Sequence, residues 1–456
     1  MGKRLSDMWL MPLTRKLGMV PLTTRVSCQA KSPDISHTVS FHSSHSAGAA
    51  PWPRGVPREL SPAPKLYAWT PENLPDTPAS RCTTRGNGKS GIFILGIGNL
   101  GRLYANELSH LADGTGMTLV VHRRTLLEKW VSGPGIEITR SGQVHRATGL
   151  DIEWWTEEKP STGPVREICG GSKIANLIMA TKAHDALPQV DRLRAYLDGS
   201  STIAFVQNGM NKMWPPYGPS YNASRYPSGD HPNWVACVTM HGVYSTGPFS
   251  SIHASPADVA IGPVLLNPRT GQDAEYLMGQ IVAAPELRGR RVPEQVLWIL
   301  QLEKLVVNSI INPLTAVLRC RNDRIFATPG GEIEKVMDLL LEEASRVLQA
   351  LVQDDSTLQI LHGDESRQSM LERFATPRLK KMLLGVSGKI KDNLSSMLQD
   401  VLAGKQTEIQ DFNGWLVETA GYLGGIDMAN HKTIISLVEN GVILKEGDLS
   451  RHFDIS

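Results

Sequence analysis

The chain has 456 residues, 41% hydrophobic and 20% charged, with a formal net charge of +2. That length predicts two or three globular domains, and the near balance of charge supplies no field for nucleic acid or an anionic membrane surface. The five cysteines (Cys28, Cys82, Cys169, Cys237, Cys320) are scattered without CxxC or Cys/His spacing, and no apolar window reaches the roughly 18 residues of a membrane helix; a disulfide scaffold, a metal site and membrane insertion are therefore not expected, and a reducing compartment is.

From residue 1 to residue 89 the chain is rich in Ser, Pro, Thr and Arg without a period of 2 or 3.6. Such a segment buries too little apolar area to offset its ordering entropy, so disorder is expected over 1–89. Its first residues set Lys3, Arg4, Arg15, Lys16 and Arg25 against the single acid Asp7, with Met, Leu and Trp between them. That composition resembles a mitochondrial transit peptide and implies the matrix; the alternative is a basic tail without an address on a cytoplasmic protein, and both readings stand.

At residue 90 the character changes. GIFILGIGNLGRLYANELSHL predicts a short strand, a glycine turn and a helix, with Gly96, Gly98 and Gly101 spaced as GxGxxG. The first glycine permits a tight turn, the second a close approach of pyrophosphate, the third close packing of helix on strand. The backbone from Gly96 through Ile97, Gly98, Asn99 and Leu100 to Gly101 is the expected phosphate cradle. The next strand, MTLVVHRR, ends on Arg123 and Arg124, where an NAD-binding chain usually places an acid. A guanidinium there pairs with a 2′-phosphate, so the expected cofactor is NADP(H). ANLIMATKAHDAL and STIAFVQNGM predict further strands, and Lys182 and Asn208 fall at their carboxyl ends, where ligands of open α/β sheets collect.

Beyond residue 293 the pattern turns helical, beginning with EQVLWILQLEKLVVNSIINPLTAVL. The expected architecture is α/β: a Rossmann-type domain over 90–292 followed by an all-α domain over 293–456, with a cleft between them. Lys304, Asn308 and Asn312 lie four residues apart in an apolar helix and so share one face. Buried unpaired, such groups cost a few kcal/mol each, at an order-of-magnitude level, so something must receive them. One receiver is a ligand in the cleft. Another is the helix itself, because Pro313 frees a carbonyl one turn back and the amides would repair the kink.

Four blocks resemble the ketopantoate reductases (2-dehydropantoate 2-reductases): GIGNLG at 96–101, VQNGM at 206–210, EKLVVNSIINPLTA at 303–316 and SSMLQDVLAGKQTEIQDFNG at 395–414. The resemblance implies NADPH-dependent reduction of 2-dehydropantoate to pantoate, for coenzyme A biosynthesis, or of another 2-oxo acid; the rival reading is a non-catalytic NADP-binding mitochondrial protein that kept the fold. By it, Lys304 is catalytic, Asn308, Asn312, Asn322 and Ser396 bind substrate, and Lys182, Asn208 and Arg123 contact cofactor. Glu408 serves both the catalytic centre and the nicotinamide ribose. No metal is needed, because an ammonium supplies the electrophile. The number of subunits stays open, a homodimer included.

Three features depart from the family's pattern. Leu302 stands where an aromatic residue usually precedes the lysine, and Asn211 stands where a glycine usually follows NGM. From Trp214 runs an insertion rich in Pro and Tyr, expected to form a lid or a long surface loop.

Overall fold

The computed structural model describes residues 51–75, 91–111, 116–390 and 393–455. The basic start with its candidate address lies outside them. The first half contains β1 (Tyr67–Trp69), β2 (Ile92–Leu95), β3 (Met117–Val121), β4 (Ile136–Arg140), β5 (Gln143–Ala147), β6 (Asp151–Thr156) and β7 (Arg166–Glu167). It continues with β8 (Asn176–Met179), β9 (Thr202–Phe205), β10 (Asn233–Thr239), β11 (Gly242–Ser245), β12 (Ser250–Ser255), β13 (Val259–Leu265) and β14 (Gly289–Arg291). Helices α1 (Asn99–Ser109), α2 (Arg124–Val131), α3 (Ala183–Leu193), α4 (Tyr217–Arg225) and α5 (Ala274–Ala283) lie between them.

The main sheet runs β14-β13-β10-β9-β8-β2-β3-β6-β1-β7. Its middle, from β10 to β6, is parallel. Every residue of β2, β3, β8, β9 and β10 is buried, which is why these strands read as continuous apolar runs without alternation. Strand β2 has β3 on one side and β8 on the other, so the connections diverge there and leave a crevice at the carboxyl ends. The smaller sheet, β11-β12-β4-β5, was not foreseen from the sequence. Arg102 on α1 ties to it, donating to Ser245, Ser251 and the carbonyl of Ser250.

The second half is helical, as expected: α6 (Glu294–Leu318), α7 (Asn322–Ile325), α8 (Glu332–Gln353), α9 (Asp364–Arg373), α10 (Thr376–Ile390), α11 (Ser396–Leu402), α12 (Ile409–Leu423) and α13 (Ala429–Glu439). α6 is its axis, buried along most of its length. It packs on β10 and β13 on one side and on α8, α11, α12 and α13 on the other. Residues 52 to 456 form one compact unit. No helix among the described residues is long and apolar enough to cross a membrane.

Two expectations need correction. The stretch 51–75 is not disordered: β1 pairs with both β6 and β7 and extends the main sheet. Pairing supplies the backbone hydrogen bonds that a three-residue strand cannot hold alone. Leu66, Ala68 and Trp69 are buried there, and the Trp69 ring packs against Trp154 at 5.4 Å. The insertion after Asn211 is neither lid nor surface loop. Its aromatic residues, Trp214, Tyr217, Tyr221 and Tyr226, are buried, and α4 lies against Trp234 of β10. Arg225 and Tyr221 both donate to Asp191 of α3, at 2.8 and 3.2 Å, and the Trp214 indole donates to Gln301 of α6. A segment so rich in rings gains more by burial than a surface loop would.

Trp69→Ala should cost about 3–5 kcal/mol of stability, the range for emptying a buried aromatic site. Urea unfolding measures it. An unchanged midpoint would mean that the segment before residue 75 is no part of the core.

Candidate active site

The glycine turn lies at the carboxyl end of β2. Gly96 has φ +99°, and a Cβ there would stand 2.7 Å from the backbone of Ala180 and Thr181 at the end of β8. A Cβ on Gly101 would sit 2.0 Å from the carbonyl oxygen of Gly96, so α1 approaches the strand as closely as it does only because both are glycine. Gly98 faces open space and caps α1, leaving the first amides of the helix directed outward. Ile97 and Leu100 pack against the core. The Asn99 side chain is engaged locally, its Oδ1 accepting from Ser251 at 3.2 Å.

Arg123 follows β3, is exposed, and its side chain makes no cap hydrogen bond to α2, though its charge acts on neighbouring His122. Arg124 is taken: it bonds Glu128 at 3.0 Å and lies 5.6 Å over the Trp69 ring. Of the two arginines, only Arg123 is available to a ligand.

Lys304 emerges from the middle of α6 toward the ends of β9 and β10. Its ammonium donates to Asn208 Oδ1 (2.8 Å) and to the carbonyl of Thr239 (2.7 Å). Burial lowers its pKa to about 8, against the opposing pull of the Glu408 carboxylate. Asn208 holds its place because Gly209, at φ +77°, turns the chain away beneath Asp411 of α12. On the same face of α6, Asn308 is half-buried, and Asn312 reaches Ser396 Oγ at 3.5 Å. Ser396 opens α11; the preceding Ser395 is its cap, accepting from Leu398 N–H and bonding Thr315 of α6 at 2.6 Å. Asn322 is not on this line. It begins α7 beyond the end of α6, and its backbone N–H meets the carbonyl of Asn393 at 3.3 Å.

A chain of alternating charge closes the cleft. Lys182 donates to Asp400 of α11 (2.7 Å) and to Glu408 (3.4 Å). Burial works to lower the Lys182 pKa, but Glu408 and Asp400 outweigh it and leave it raised. The other Glu408 oxygen accepts from the Ala183 N–H at the start of α3 (3.2 Å), so this buried acid caps a helix of the opposite domain. His184 Nδ1 donates to the Asp411 carboxylate at 3.2 Å beside it. Asp400 and Thr239 were not singled out from the sequence. Asp400 lies four residues after Ser396, on the same helical face, and that spacing is the signal that would have found it; Thr239 acts through its backbone and left none.

The kink alternative is decided by Asn413. Pro313 has no N–H for the Ser309 carbonyl, yet α6 continues through it. That carbonyl accepts instead from Asn413 Nδ2 of α12 (2.8 Å). Asn308 and Asn312 are thereby left facing the cleft. The same amide nitrogen bonds His431 Nδ1 at 3.0 Å, and the other ring nitrogen meets the Leu340 carbonyl at 3.0 Å. Leu302 is fully buried, while Trp298 packs on Phe374, so no aromatic ring precedes Lys304 at the cleft from these two positions. Asn211 is buried and closes the turn into the insertion, accepting from Met213 N–H at 2.8 Å. No group of three or more His, Cys, Asp or Glu among the described residues is placed to hold a metal ion.

A Rossmann-type sheet with a glycine cradle, joined to a helical region that carries a buried lysine, is the arrangement of a nucleotide-dependent oxidoreductase. The chain belongs to the ketopantoate reductase PanE/ApbA family, whose model matches residues 92–265 and whose C-terminal model matches residues 296–441. It is 39% identical to a ketoisovalerate reductase of Beauveria bassiana, over 88% of this chain and 98% of that one. It is 26% identical to a probable 2-dehydropantoate 2-reductase of Schizosaccharomyces pombe, over 76% and 95%. In fold it is similar to a D-mandelate dehydrogenase solved with NADH and anilino(oxo)acetate, with a TM-score of 0.55 at 16% identity, covering 79% of this chain and 99% of the other.

Asn413→Ala should cost about 1–3 kcal/mol, because it leaves a buried carbonyl without a donor. In a Pro313→Ala background the restored N–H serves Ser309, and the cost should shrink by about 1 kcal/mol. Chemical denaturation of the four proteins tests this; strictly additive losses would mean that Asn413 does not serve the carbonyl freed by Pro313.

Proposed function

We propose that the protein reduces a small branched 2-oxo acid, 2-ketoisovalerate, to 2-hydroxyisovalerate with NADPH. The observation that carries the reading is Lys304: an ammonium withdrawn from bulk water and held by Asn208 and Thr239 at the carboxyl ends of β9 and β10, on the sheet whose β2 carries the glycine cradle. Identity of 39% with a ketoisovalerate reductase, against 26% with a probable 2-dehydropantoate 2-reductase, favours this acid over the 2-dehydropantoate to which the motif resemblance first pointed. The two acids differ by one hydroxymethyl group.

The cradle from Gly96 to Gly101 and the open Gly98 fit a dinucleotide, and the exposed Arg123 fits a 2′-phosphate. The nicotinamide, when bound, supplies the hydride. Lys304 meets the charge that grows on the ketone oxygen and gives up its proton there. Asn308, Asn312 and Ser396 bind the acid through neutral groups that do not compete with the ammonium, and this fixes the ketone in register. Lys182 and Asn208 frame the nicotinamide side. Glu408 favours the charged form of Lys304, and Asn322, set beyond the end of α6, is a further amide for the acid.

Steady-state reduction of 2-ketoisovalerate and 2-dehydropantoate is the test. A higher kcat/KM for 2-ketoisovalerate is expected, and Lys304→Ala should lower it by about 10²–10⁴. No turnover of either acid, or a large preference for 2-dehydropantoate, would sink the assignment. The sign of the pH dependence follows from the depressed lysine. Reduction needs the protonated form, so its rate should fall as pH rises through about 8, and oxidation of the hydroxy acid should rise over the same range.

Arg123→Ala should raise the Kd for NADPH about tenfold or more and leave NADH nearly unchanged. Equal weakening of both would remove Arg123 from the 2′-phosphate.

A further inference from the structure

The turn Trp52–Val56 lies outside the residues matched by the family models, yet it touches both segments that surround Lys304. It is a built turn: the Trp52 indole donates to the Val56 carbonyl (2.7 Å), and the Arg225 guanidinium of α4 lies 4.9 Å over the Trp52 ring. Gly55, at φ +85°, rests on α3 beside Pro188 and the His184 carbonyl. Arg54 is thereby held in place between them. Its backbone carbonyl accepts from Lys212 (3.1 Å), three residues past Gly209 on the loop that carries Asn208. Its guanidinium donates to Gln410 (2.5 Å) and pairs with Glu418 (3.4 Å), both on α12, the helix that Glu408 opens.

One residue thus joins the loop that presents the hydrogen-bond acceptor of Lys304 to the helix that presents its counter-charge. We propose that Arg54 is a positioning residue for the reduction, a staple that fixes Asn208 and Glu408 relative to each other and so sets the surroundings of the Lys304 ammonium. The inference rests on the assignment of Lys304 and Glu408 to the reaction. The exposed ion pair itself contributes little stability. Its effect is geometric, because a small displacement of a positioning group is amplified in rate.

The groups that face the Lys304 ammonium are Asn208 from the loop after β9, the Thr239 carbonyl from β10 and Glu408 from the start of α12. Glu408 alone among them is charged. If the staple is cut and Glu408 recedes, Lys304 loses its proton at lower pH. The test compares the full-length wild type, Arg54→Ala and Arg54→Lys in NADPH-dependent reduction of 2-ketoisovalerate across the pH range. For Arg54→Ala, kcat should fall about tenfold with a smaller change in KM, and the alkaline midpoint should move down by about half a unit. Arg54→Lys should restore most of the rate, since an ammonium still reaches Glu418. An unmoved midpoint overturns the proposal, whether the rate holds or falls along with the melting temperature. If the wild type does not reduce the acid, the functional reading fails by itself. The staple is then judged by NADPH affinity, which Arg54→Ala should weaken about threefold through Glu408 and Lys182, and an unchanged affinity rejects it.

Discussion

An ammonium withdrawn from water must find its hydrogen bonds and its counter-charge inside the protein, and Lys304 takes them from every quarter of the cleft. Asn208 belongs to the loop after β9, Thr239 to the end of β10, Glu408 to the start of α12, and the lysine itself to α6. A buried charge left without such partners costs several kcal/mol in order of magnitude and would give up its proton instead. The sheet and the helical region therefore both supply the partners of a single side chain.

The same requirement explains why α6 tolerates a proline. A helix that presents three polar groups on one face must keep its phase from Lys304 to Asn312, and a kink at Pro313 would turn the later groups away. Asn413 meets the freed carbonyl of Ser309 from α12, and Thr315 bonds back to the carbonyls of Ile311 and Asn312 at 2.9 Å each. These bonds keep the phase and also join α6 to the helix that Glu408 opens. Proline, asparagine and glutamate thus act on one joint although a hundred residues separate them.

Periodicity and spacing made much of this legible. The glycine turn, the buried parallel strands and the polar line on α6 each have a local pattern that a one-dimensional reading recovers, because the same residues that signal them also do the work. What stayed hidden depends on partners far along the chain. β1 is three residues long, and its stability comes from pairing with β6 and β7 about ninety positions away. The insertion looked like a loop because proline and glycine interrupt its pattern, yet its rings are buried against β10 and α6. Thr239 acts through a carbonyl that every residue possesses, so its side chain carried no hint. The particular 2-oxo acid was equally out of reach, since the motifs that bring the lysine and the asparagines to notice are common to a family whose similar members carry the names of different acids.

The electrostatics of the cleft follow from the same lysine in sequence. Burial lowers its affinity for a proton, bringing its pKa down to about 8. The Glu408 carboxylate opposes further lowering. A buried acid needs its own partners, and Glu408 has the Ala183 N–H and Lys182. Lys182 in turn is kept charged by Asp400 as well as by Glu408. Each member is explained by the one before it, and the series ends at α11, whose other end holds Ser396 against Asn312. The helix that ends the charge chain at Asp400 is thus the helix that sets Ser396 against Asn312, so the surroundings of Lys304 and the polar line on α6 are fixed by the same few turns of chain.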